Sequence, residues 1–265
     1  MLARARSLLI ASTLAVAALD PLAAAAPLAF DHAEWDALLH AHVTAGLVDY
    51  DAFARSAEFG AYLGRLASAQ PDALAQADRL AFWINTYNAY TIQQVNAHAE
   101  RRSIRNIRKT LGMLPLKGPW SEPMVHAAGR TLTLDEVEHE IIRKQFREPR
   151  IHFALVCAAL GCPPLRSEAY VGARLEEQLE DQARAFLLRS PAKNRVDVAS
   201  RTLFVSPILV WYRDDFGGGN AAIARWLARY WPEGEEKRLL ASGAFDLRET
   251  DYDWTLNSVA RPRQE

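Results

Sequence analysis

Apolar residues recur at helical spacing along most of the chain. The segment Asp31–Ala45 carries Trp35, Leu38, Leu39 and Val43 on one side, the pattern of a helix with one buried face. The same period predicts further helices in six places: 61–69, 78–99, 133–147, 175–188, 209–215 and 221–231. The chain is therefore predicted to be mostly helical.

Strand patterns are short and few. Residues 124–132 alternate around Ala128-Gly129, and residues 196–205 turn at Ala199-Ser-Arg201, so both segments predict hairpins. Residues 151–157 form an apolar run that predicts a buried strand, and the basic, Gly- and Pro-containing stretch 100–119 predicts a long loop. With no internal repeat or low-complexity linker, the chain is predicted to form a single α+β domain. Its small antiparallel or mixed sheet would comprise the two hairpins and the 151–157 strand.

The N-terminus has the layout of a secretory signal peptide. Arg4 and Arg6 precede the apolar run Leu8–Leu19, and the small residues Ala23–Ala26 follow. The run has 12 residues, whereas a membrane-spanning helix needs roughly 20. We therefore expect cleavage after Ala25. Residues 26–265 would then form one exported domain, periplasmic or secreted, with no transmembrane segment in the mature chain.

Composition narrows the class of partner. The 265 residues are 50% hydrophobic and 24% charged, which is typical of a globular protein and excludes a disordered chain. Lys and Arg number 31 against 32 Asp and Glu, and a protein without a basic surplus is not expected to bind nucleic acid. A small molecule or a peptide is the expected partner, and no cofactor is predicted.

One predicted helix carries a carboxylate on its apolar face. Thr133-Leu-Asp-Glu136 has the pattern of a capping box that begins this helix. Glu138 falls in the middle of the stripe formed by Val137 and Ile141, and His139 lies at its edge. A buried carboxylate is costly unless it is paired or protonated. Glu138 is thus either a structural group, held by an ion pair or backbone N–H groups, or a functional carboxylate.

The helix predicted at 78–99 has a similar feature. Asn88 lies within its apolar face between Ile84 and Ile92, and Asn85 lies at the margin. Buried amides must find hydrogen-bond partners. They either fix buried backbone or line a cleft.

The segment Arg150–Arg166 contains His152, Cys157 and Cys162. A cysteine and a histidine together suggest a nucleophile and its base, and Cys162 lies in a Gly-Pro turn that leaves it accessible. In an oxidising compartment, however, two cysteines five residues apart often pair. Four alternatives remain open: a disulfide, two buried thiols, a catalytic Cys162, and a metal site with His152 or His139.

Short motifs in the same order resemble the domain of unknown function 547 family. They are Gly46-Leu-Val-Asp-Tyr50, Phe82-Trp-Ile-Asn-Thr-Tyr-Asn-Ala89, Leu134-Asp-Glu-Val-Glu-His139, His152-Phe-Ala-Leu-Val-Cys157, Gly161-Cys-Pro-Pro-Leu-Arg166, Trp211-Tyr-Arg-Asp-Asp-Phe216 and Tyr252-Asp-Trp-Thr-Leu-Asn257. The resemblance implies a bacterial, exported protein, and it implies no established reaction. It directs attention to residues already singled out: Asn85, Asn88, Glu138, His139, His152 and Cys162.

The order of elements also resembles that of papain and the transglutaminases. A helix with Trp83, Asn85 and Asn88 is followed by a predicted strand that begins near His152. The position at which those enzymes carry a cysteine at a helix start is not cysteine here. A thiol would have to come from a different element.

We hypothesise an exported hydrolase or acyltransferase that depends on a thiol or on acid–base chemistry in a buried polar cleft. Cys162 would be the nucleophile, and His152 or His139 the base. Glu138 would orient the base, and Asn85 or Asn88 would donate to the oxyanion. Arg166 is a further candidate for substrate binding. The alternatives are a non-catalytic periplasmic binding module and a metal-binding protein, so whether the protein is an enzyme stays open.

Overall fold

A computed structural model describes residues 29–107, 109–111 and 114–260. The predicted signal peptide at residues 1–25 lies outside this part of the chain. Of the helices that the structure describes, none is both long and apolar enough to cross a bilayer.

Helices make up most of the described chain. The α-helices in these ranges are α1 Ala33–His42, α2 Tyr50–Arg55, α3 Ala57–Ser68, α4 Gln76–Ala97, α5 Arg143–Phe146, α6 Ile151–Ala154, α7 Leu175–Leu188, α8 Pro207–Trp211, α9 Asn220–Ala228 and α10 Glu235–Ser242. Helix α7 has the predicted bounds. The helix predicted at 133–147 consists of a π-helical segment, Glu136–Ile142, that continues into α5.

The strands have two to four residues each and form small sheets. They are β1 Val43–Thr44, β2 Leu47–Val48, β3 Lys109–Leu111, β4 Leu114–Lys117, β5 Val125–Ala127, β6 Arg130–Leu132, β7 Arg195–Asp197, β8 Thr202–Val205 and β9 Asp246–Glu249. Strands β1–β2, β3–β4 and β5–β6 pair antiparallel as two-stranded sheets. In the three-stranded sheet, β8 pairs antiparallel with β7 and parallel with β9. The described chain is thus a single α+β domain.

The two predicted hairpins are confirmed as β5–β6 and β7–β8, but three details of the strand prediction are wrong. The hairpins lie in separate sheets. The third strand of the β7–β8 sheet is β9 and not a strand of the other hairpin. The predicted loop 100–119 contains the β3–β4 hairpin. The predicted strand 151–157 begins as the short helix α6, and the chain becomes extended at Leu155. A short apolar run fits a buried helix as well as a buried strand, so its periodicity could not separate the two.

Helix α4 occupies the centre of the larger hydrophobic core. Its residues from Leu80 to Val95 are nearly all buried, including Asn85 and Asn88. It contacts α2, α3, α7 and the π-helical segment, so groups on several elements meet at its sides. A second apolar cluster is built on α7, α8, α9 and the β7–β8 sheet, and Tyr252 packs against both clusters.

The capping box is confirmed at the start of the π-helical segment. The Glu136 N–H donates to Thr133 Oγ1 at 3.0 Å, and the Thr133 N–H donates to Glu136 Oε2 at 2.7 Å. At the other end, Arg147 has φ 45°, a left-handed conformation that ends α5. The segment between these points therefore has fixed ends, and its side chains have defined directions.

A buried histidine near the N-terminus makes the stability of the fold depend on pH. His32 is 6% exposed, and its Nδ1 lies 2.8 Å from the Tyr62 hydroxyl. Burial, helped by the nearby Arg65 charge, lowers the pKa of His32 from 6.5 to about 4. The unfolded chain therefore takes up a proton between pH 6.5 and 4 that the folded chain does not. As the pH is lowered from 6.5 to 4, we expect the free energy of unfolding to decrease by up to about 3 kcal/mol because of His32.

Urea denaturation from pH 7 to 4, in wild type and His32→Asn, measures this contribution. The slope of unfolding free energy against pH should be smaller in His32→Asn. The matched substitution His126→Asn, at an exposed histidine, should leave this slope the same as in wild type. Parallel slopes in wild type and His32→Asn would contradict the expectation.

Candidate functional site

Seven ionisable side chains meet beside α4, between the π-helical segment, α6 and the turn after α8. We call this group the acid–base cluster; its members are Tyr87, Glu138, His139, Arg143, His152, Tyr212 and Asp215. Helix α4 supplies Tyr87, and α6 supplies His152. The π-helical segment and α5 supply three members, and the last two come from the turn after α8 and the 3₁₀-helix Arg213–Phe216.

Glu138 is the innermost carboxylate of the cluster. It is 6% exposed, as the apolar stripe predicted. Its carboxylate interacts with the hydroxyls of Tyr87 and Tyr212. Burial, reinforced by the Glu138 charge, raises the pKa of both tyrosines well above its usual value. In the part of the chain that the structure describes, no basic nitrogen lies within 4.0 Å of this carboxylate.

The π-helical segment contributes two residues that are adjacent in the chain, Glu138 and His139, to the same cluster. The backbone N–H of Arg143 donates a hydrogen bond to the Glu138 carbonyl, five residues earlier in the chain. Such wide turns are rare in proteins, and many of those that occur lie at functional sites. His139 is half-buried, and its Nδ1 lies 3.0 Å from Arg143 Nη1. Because a guanidinium only donates, Nδ1 is the acceptor, and the Nε2 of neutral His139 carries the proton.

Asp215 joins the histidine and the arginine of the cluster. His152 Nε2 donates to Asp215 Oδ2 at 2.6 Å, and Arg143 donates through Nε and Nη2 at 2.7 and 2.9 Å. These bonds, that of His152 foremost, hold the pKa of Asp215 well below its usual value. The bidentate contact fixes the Arg143 guanidinium on Asp215.

His152 is enclosed on one side by an aromatic ring. It is 3% exposed, and its imidazole stacks on Tyr212 with ring centroids 3.9 Å apart and 20° between the planes. His152 therefore fixes the Tyr212 ring and Asp215 together. Tyr212, His139, Arg143 and Asp215 are partly exposed and form the solvent side of the cluster.

The structure selects the disulfide among the four alternatives for the cysteines. Cys157 and Cys162 are bonded to each other, so neither sulfur is a free thiol, and in this form Cys162 cannot act as the predicted nucleophile. The Tyr252 hydroxyl lies 3.0 Å from Cys157 Sγ and 3.1 Å from Cys162 Sγ. Its ring lies on the backbone of Gly161, where an added Cβ would be 2.8 Å away. The Tyr252 side chain is thus packed against the disulfide loop.

The two predicted oxyanion donors, Asn85 and Asn88, hold backbone groups. Asn88 donates to the Ala154 carbonyl and accepts from the Val156 N–H, both at 2.9 Å. Asn85 makes the same pair of contacts with Tyr170, at 2.7 and 3.0 Å. These are the contacts of the structural alternative, in which the amides fix buried backbone, and donation to an oxyanion stays a prediction. Asn88 nevertheless matters for the site, because it fixes the chain just after His152.

Arg166 does not join the cluster. Its guanidinium binds Glu168 and Asp181, and it lines a separate cavity on the side of the disulfide loop. Arg166 thus lies at this cavity, and its role in substrate binding stays a prediction.

Aromatic rings flank the cluster where it meets solvent. Trp211 precedes Tyr212 in the chain and is 49% exposed. Its ring centroid lies 4.9 Å from that of Tyr252 and 6.0 Å from that of Trp254. These rings offer an apolar surface beside the polar groups.

Sequence reasoning identified Glu138, His139 and His152 but missed the other members of the cluster. Helical spacing places Arg143 on the solvated face of its helix and Tyr87 on the apolar face of α4, so neither stands out as functional. Tyr212 and Asp215 lie within the motif Trp211–Phe216, so a signal for them existed. The contact between Asp215 and His152 spans 63 residues of chain, which no local pattern predicts.

The carboxylates and imidazoles of the cluster are not arranged around one point. Within the described residues, no group of three or more His, Cys, Asp or Glu side chains is arranged to hold a metal ion. In the acid–base cluster, Arg143 stands between His139 and Asp215, which places a cation where a metal ion would be needed.

Comparison with known proteins gives one match. The model of the family described as "Protein of unknown function, DUF547" matches residues 71–187. No curated protein and no solved structure matches the chain. The matched segment contains most of the acid–base cluster, namely Tyr87, Glu138, His139, Arg143 and His152.

Proposed function

The chain belongs to the DUF547 family through residues 71–187, and we propose, from the acid–base cluster, that it is a hydrolase of acyl bonds with water as the nucleophile. The observation that carries this proposal is the environment of Glu138. A carboxylate buried on an apolar face is costly unless a cation compensates it. Here the neighbouring arginine binds Asp215 instead, and Glu138 faces two tyrosine hydroxyls. The pKa values of these two tyrosines are raised, and groups with raised or lowered pKa values are typical of catalytic sites.

The cluster contains the parts that attack by water requires. Glu138 accepts a proton from the water, whose oxygen forms a bond to the carbonyl carbon of the substrate. The His139 Nε2–H and the Arg143 guanidinium stabilise the negative charge that develops on the carbonyl oxygen. When the tetrahedral intermediate collapses, the bond to the leaving group breaks, and Glu138 returns its proton to that group.

His152 and Asp215 are positioning residues in this scheme. Asp215 holds Arg143 through two bonds, and His152 holds Asp215 and the Tyr212 ring. One arginine and one neutral histidine suit a single developing negative charge. Phosphoryl transfer usually relies on several cations to neutralise its charge, so the proposal is acyl hydrolysis.

The aromatic surface and the disulfide fit the same scheme. The apolar rings of Trp211 and Trp254 would hold a small molecule or a peptide beside the cluster. The Cys157–Cys162 disulfide supports the expectation of export, because such bonds persist in oxidising compartments.

Ester and anilide probes test the proposal and separate it from a thiol mechanism. p-Nitrophenyl acetate, p-nitrophenyl butyrate and alanine p-nitroanilide would be assayed with the disulfide intact. We expect turnover of at least one probe, and we expect Cys157→Ser/Cys162→Ser to retain the rate per folded molecule. The double variant has no sulfur nucleophile, and the proposed mechanism needs none.

Two results would count against the proposal. One is the absence of turnover of all three probes above the Glu138→Gln background. The other is activity that appears only after reduction of the disulfide and disappears on alkylation, which would restore Cys162 as the nucleophile.

A further inference from the structure

A cavity lined in part by Cys162 lies beside the disulfide loop, and none of its described lining residues belongs to the acid–base cluster. It has a volume of about 660 Å³ and is bounded by the β1–β2 turn, residues 159–168 and the C-terminal part of α7. This volume is within the range of pockets that hold small molecules. Asn257, near the C-terminal end of the described chain, also lines it.

The charges that line this cavity do not balance. Arg166 binds Glu168 and Asp181, and Arg189 binds Asp181 at 2.8 Å. Glu168 is also shared with Arg174, which lies outside the cavity. Lys193 is the remaining arginine or lysine among the described residues that line it. The described lining thus carries an excess of one positive charge, located at Lys193.

Lys193 is half-buried and incompletely satisfied. Its Nζ donates to the Cys162 carbonyl at 2.5 Å and lies 5.5 Å from the centroid of the Phe186 ring. No carboxylate of the described residues lies within 4.0 Å of this nitrogen. An ammonium has three donors, so hydrogen-bonding capacity remains for a ligand.

From this arrangement we propose that the cavity binds a small monocarboxylate with an apolar body, whose carboxylate pairs with Lys193. The apolar body would contact Leu160, Pro163 and Leu165. A dianion such as a phosphate ester fits less well, because Glu168 and Asp181 line the same space and only one positive charge is in excess. The site is independent of the acid–base cluster and of its proposed activity.

The burial of Lys193 supports this assignment. Removal from water lowers its pKa from 10.5 to about 8, and the nearby Asp253 opposes this shift. A bound carboxylate would favour the charged ammonium again. Ligand binding and protonation of Lys193 are therefore coupled, and affinity should fall as pH rises above about 8.

Calorimetric titration of the purified protein with three matched probes tests the proposal. The probes are 4-phenylbutyrate, its neutral amide 4-phenylbutyramide and the cation 4-phenylbutylamine. At pH 7 we expect 4-phenylbutyrate to bind about 10- to 100-fold more tightly than the amide, as is typical of a hydrogen bond to a charged group. The amine should not bind. Affinity for 4-phenylbutyrate should be lower at pH 9 than at pH 7.

Variants assign the effect to Lys193. Lys193→Gln keeps a donor for the Cys162 carbonyl but has no charge, and it should remove the preference for the acid over the amide. Lys193→Arg should keep that preference. Lys237→Met, which removes a distant lysine paired with Glu233, should bind as wild type does.

The charged groups around the cavity require one control for pH. His40 lines it from α1 and contacts Asp36, and Asp253 acts on Lys193 from the C-terminal segment. Repeating the pH series in His40→Gln removes the histidine titration. Equal affinity for acid and amide, an unchanged preference in folded Lys193→Gln, or no saturable binding of 4-phenylbutyrate in the millimolar range would each overturn the proposal. These readouts do not depend on hydrolysis.

Discussion

Glu138→Gln is expected to lower kcat/KM for the hydrolysed probe by about 10²- to 10⁴-fold, the usual contribution of a general base. Gln has the size of Glu and still hydrogen-bonds to tyrosine hydroxyls, but it cannot accept a proton from water. The fold should remain intact, because a neutral amide costs less to bury than a carboxylate. Steady-state kinetics with the p-nitrophenyl esters and thermal unfolding of the same preparations would measure both effects.

The matched control for this variant is Glu140→Gln in the same π-helical segment. Glu140 is exposed and pairs with Lys144, so its replacement should leave both kcat/KM and Tm near the wild-type values. If Glu138→Gln instead lowers Tm clearly and leaves any probe hydrolysis unchanged, then Glu138 is structural. That result would favour a non-catalytic binding module.

Asn88→Ala is expected to have the largest effect on stability. The side chain is 3% exposed and satisfies the Ala154 carbonyl and the Val156 N–H. Its removal leaves two buried backbone groups without a partner, at about 1–3 kcal/mol each. For a domain of this size, the loss corresponds to a fall in Tm of about 5–15 °C. Calorimetry or thermal circular dichroism would measure it.

The same variant should also weaken the site, since Asn88 fixes the chain just after His152. Gln93→Ala is the control on the same helix, because Gln93 is only half-buried. It should change Tm by no more than a few degrees. An Asn88→Ala protein as stable as the Gln93→Ala protein would show that the extended segment after α6 is held by its apolar side chains alone.

The sequence predicted the helices better than it predicted the sheet. Helix α7 and the capping box at Thr133 depend on local contacts within a few turns, so spacing and residue type suffice to place them. The strand predicted at 151–157 failed because an apolar run has no period of its own. Asn88, more than 60 residues earlier in the chain, is one of the contacts that hold its backbone.

The sequence also predicted one part of the candidate site and not another. The apolar stripe is sufficient to place Glu138 in the interior, since a residue's side of a helix follows from its position in the chain. The direction of Arg143 did not follow from that rule. On an isolated helix Arg143 would face water, and it turns to Asp215 because packing places that carboxylate within 2.7 Å.

The sequence by itself therefore determined a mostly helical α+β chain, two hairpins, the burial of a carboxylate, and the position of two asparagines on the apolar side of a helix. Periodicity encodes these properties because they are local. The tertiary structure alone decided which partners these groups take: Asp215 for His152, two tyrosines for Glu138, and backbone for Asn85 and Asn88. Such choices depend on distances between segments far apart in the chain, and only packing sets those distances.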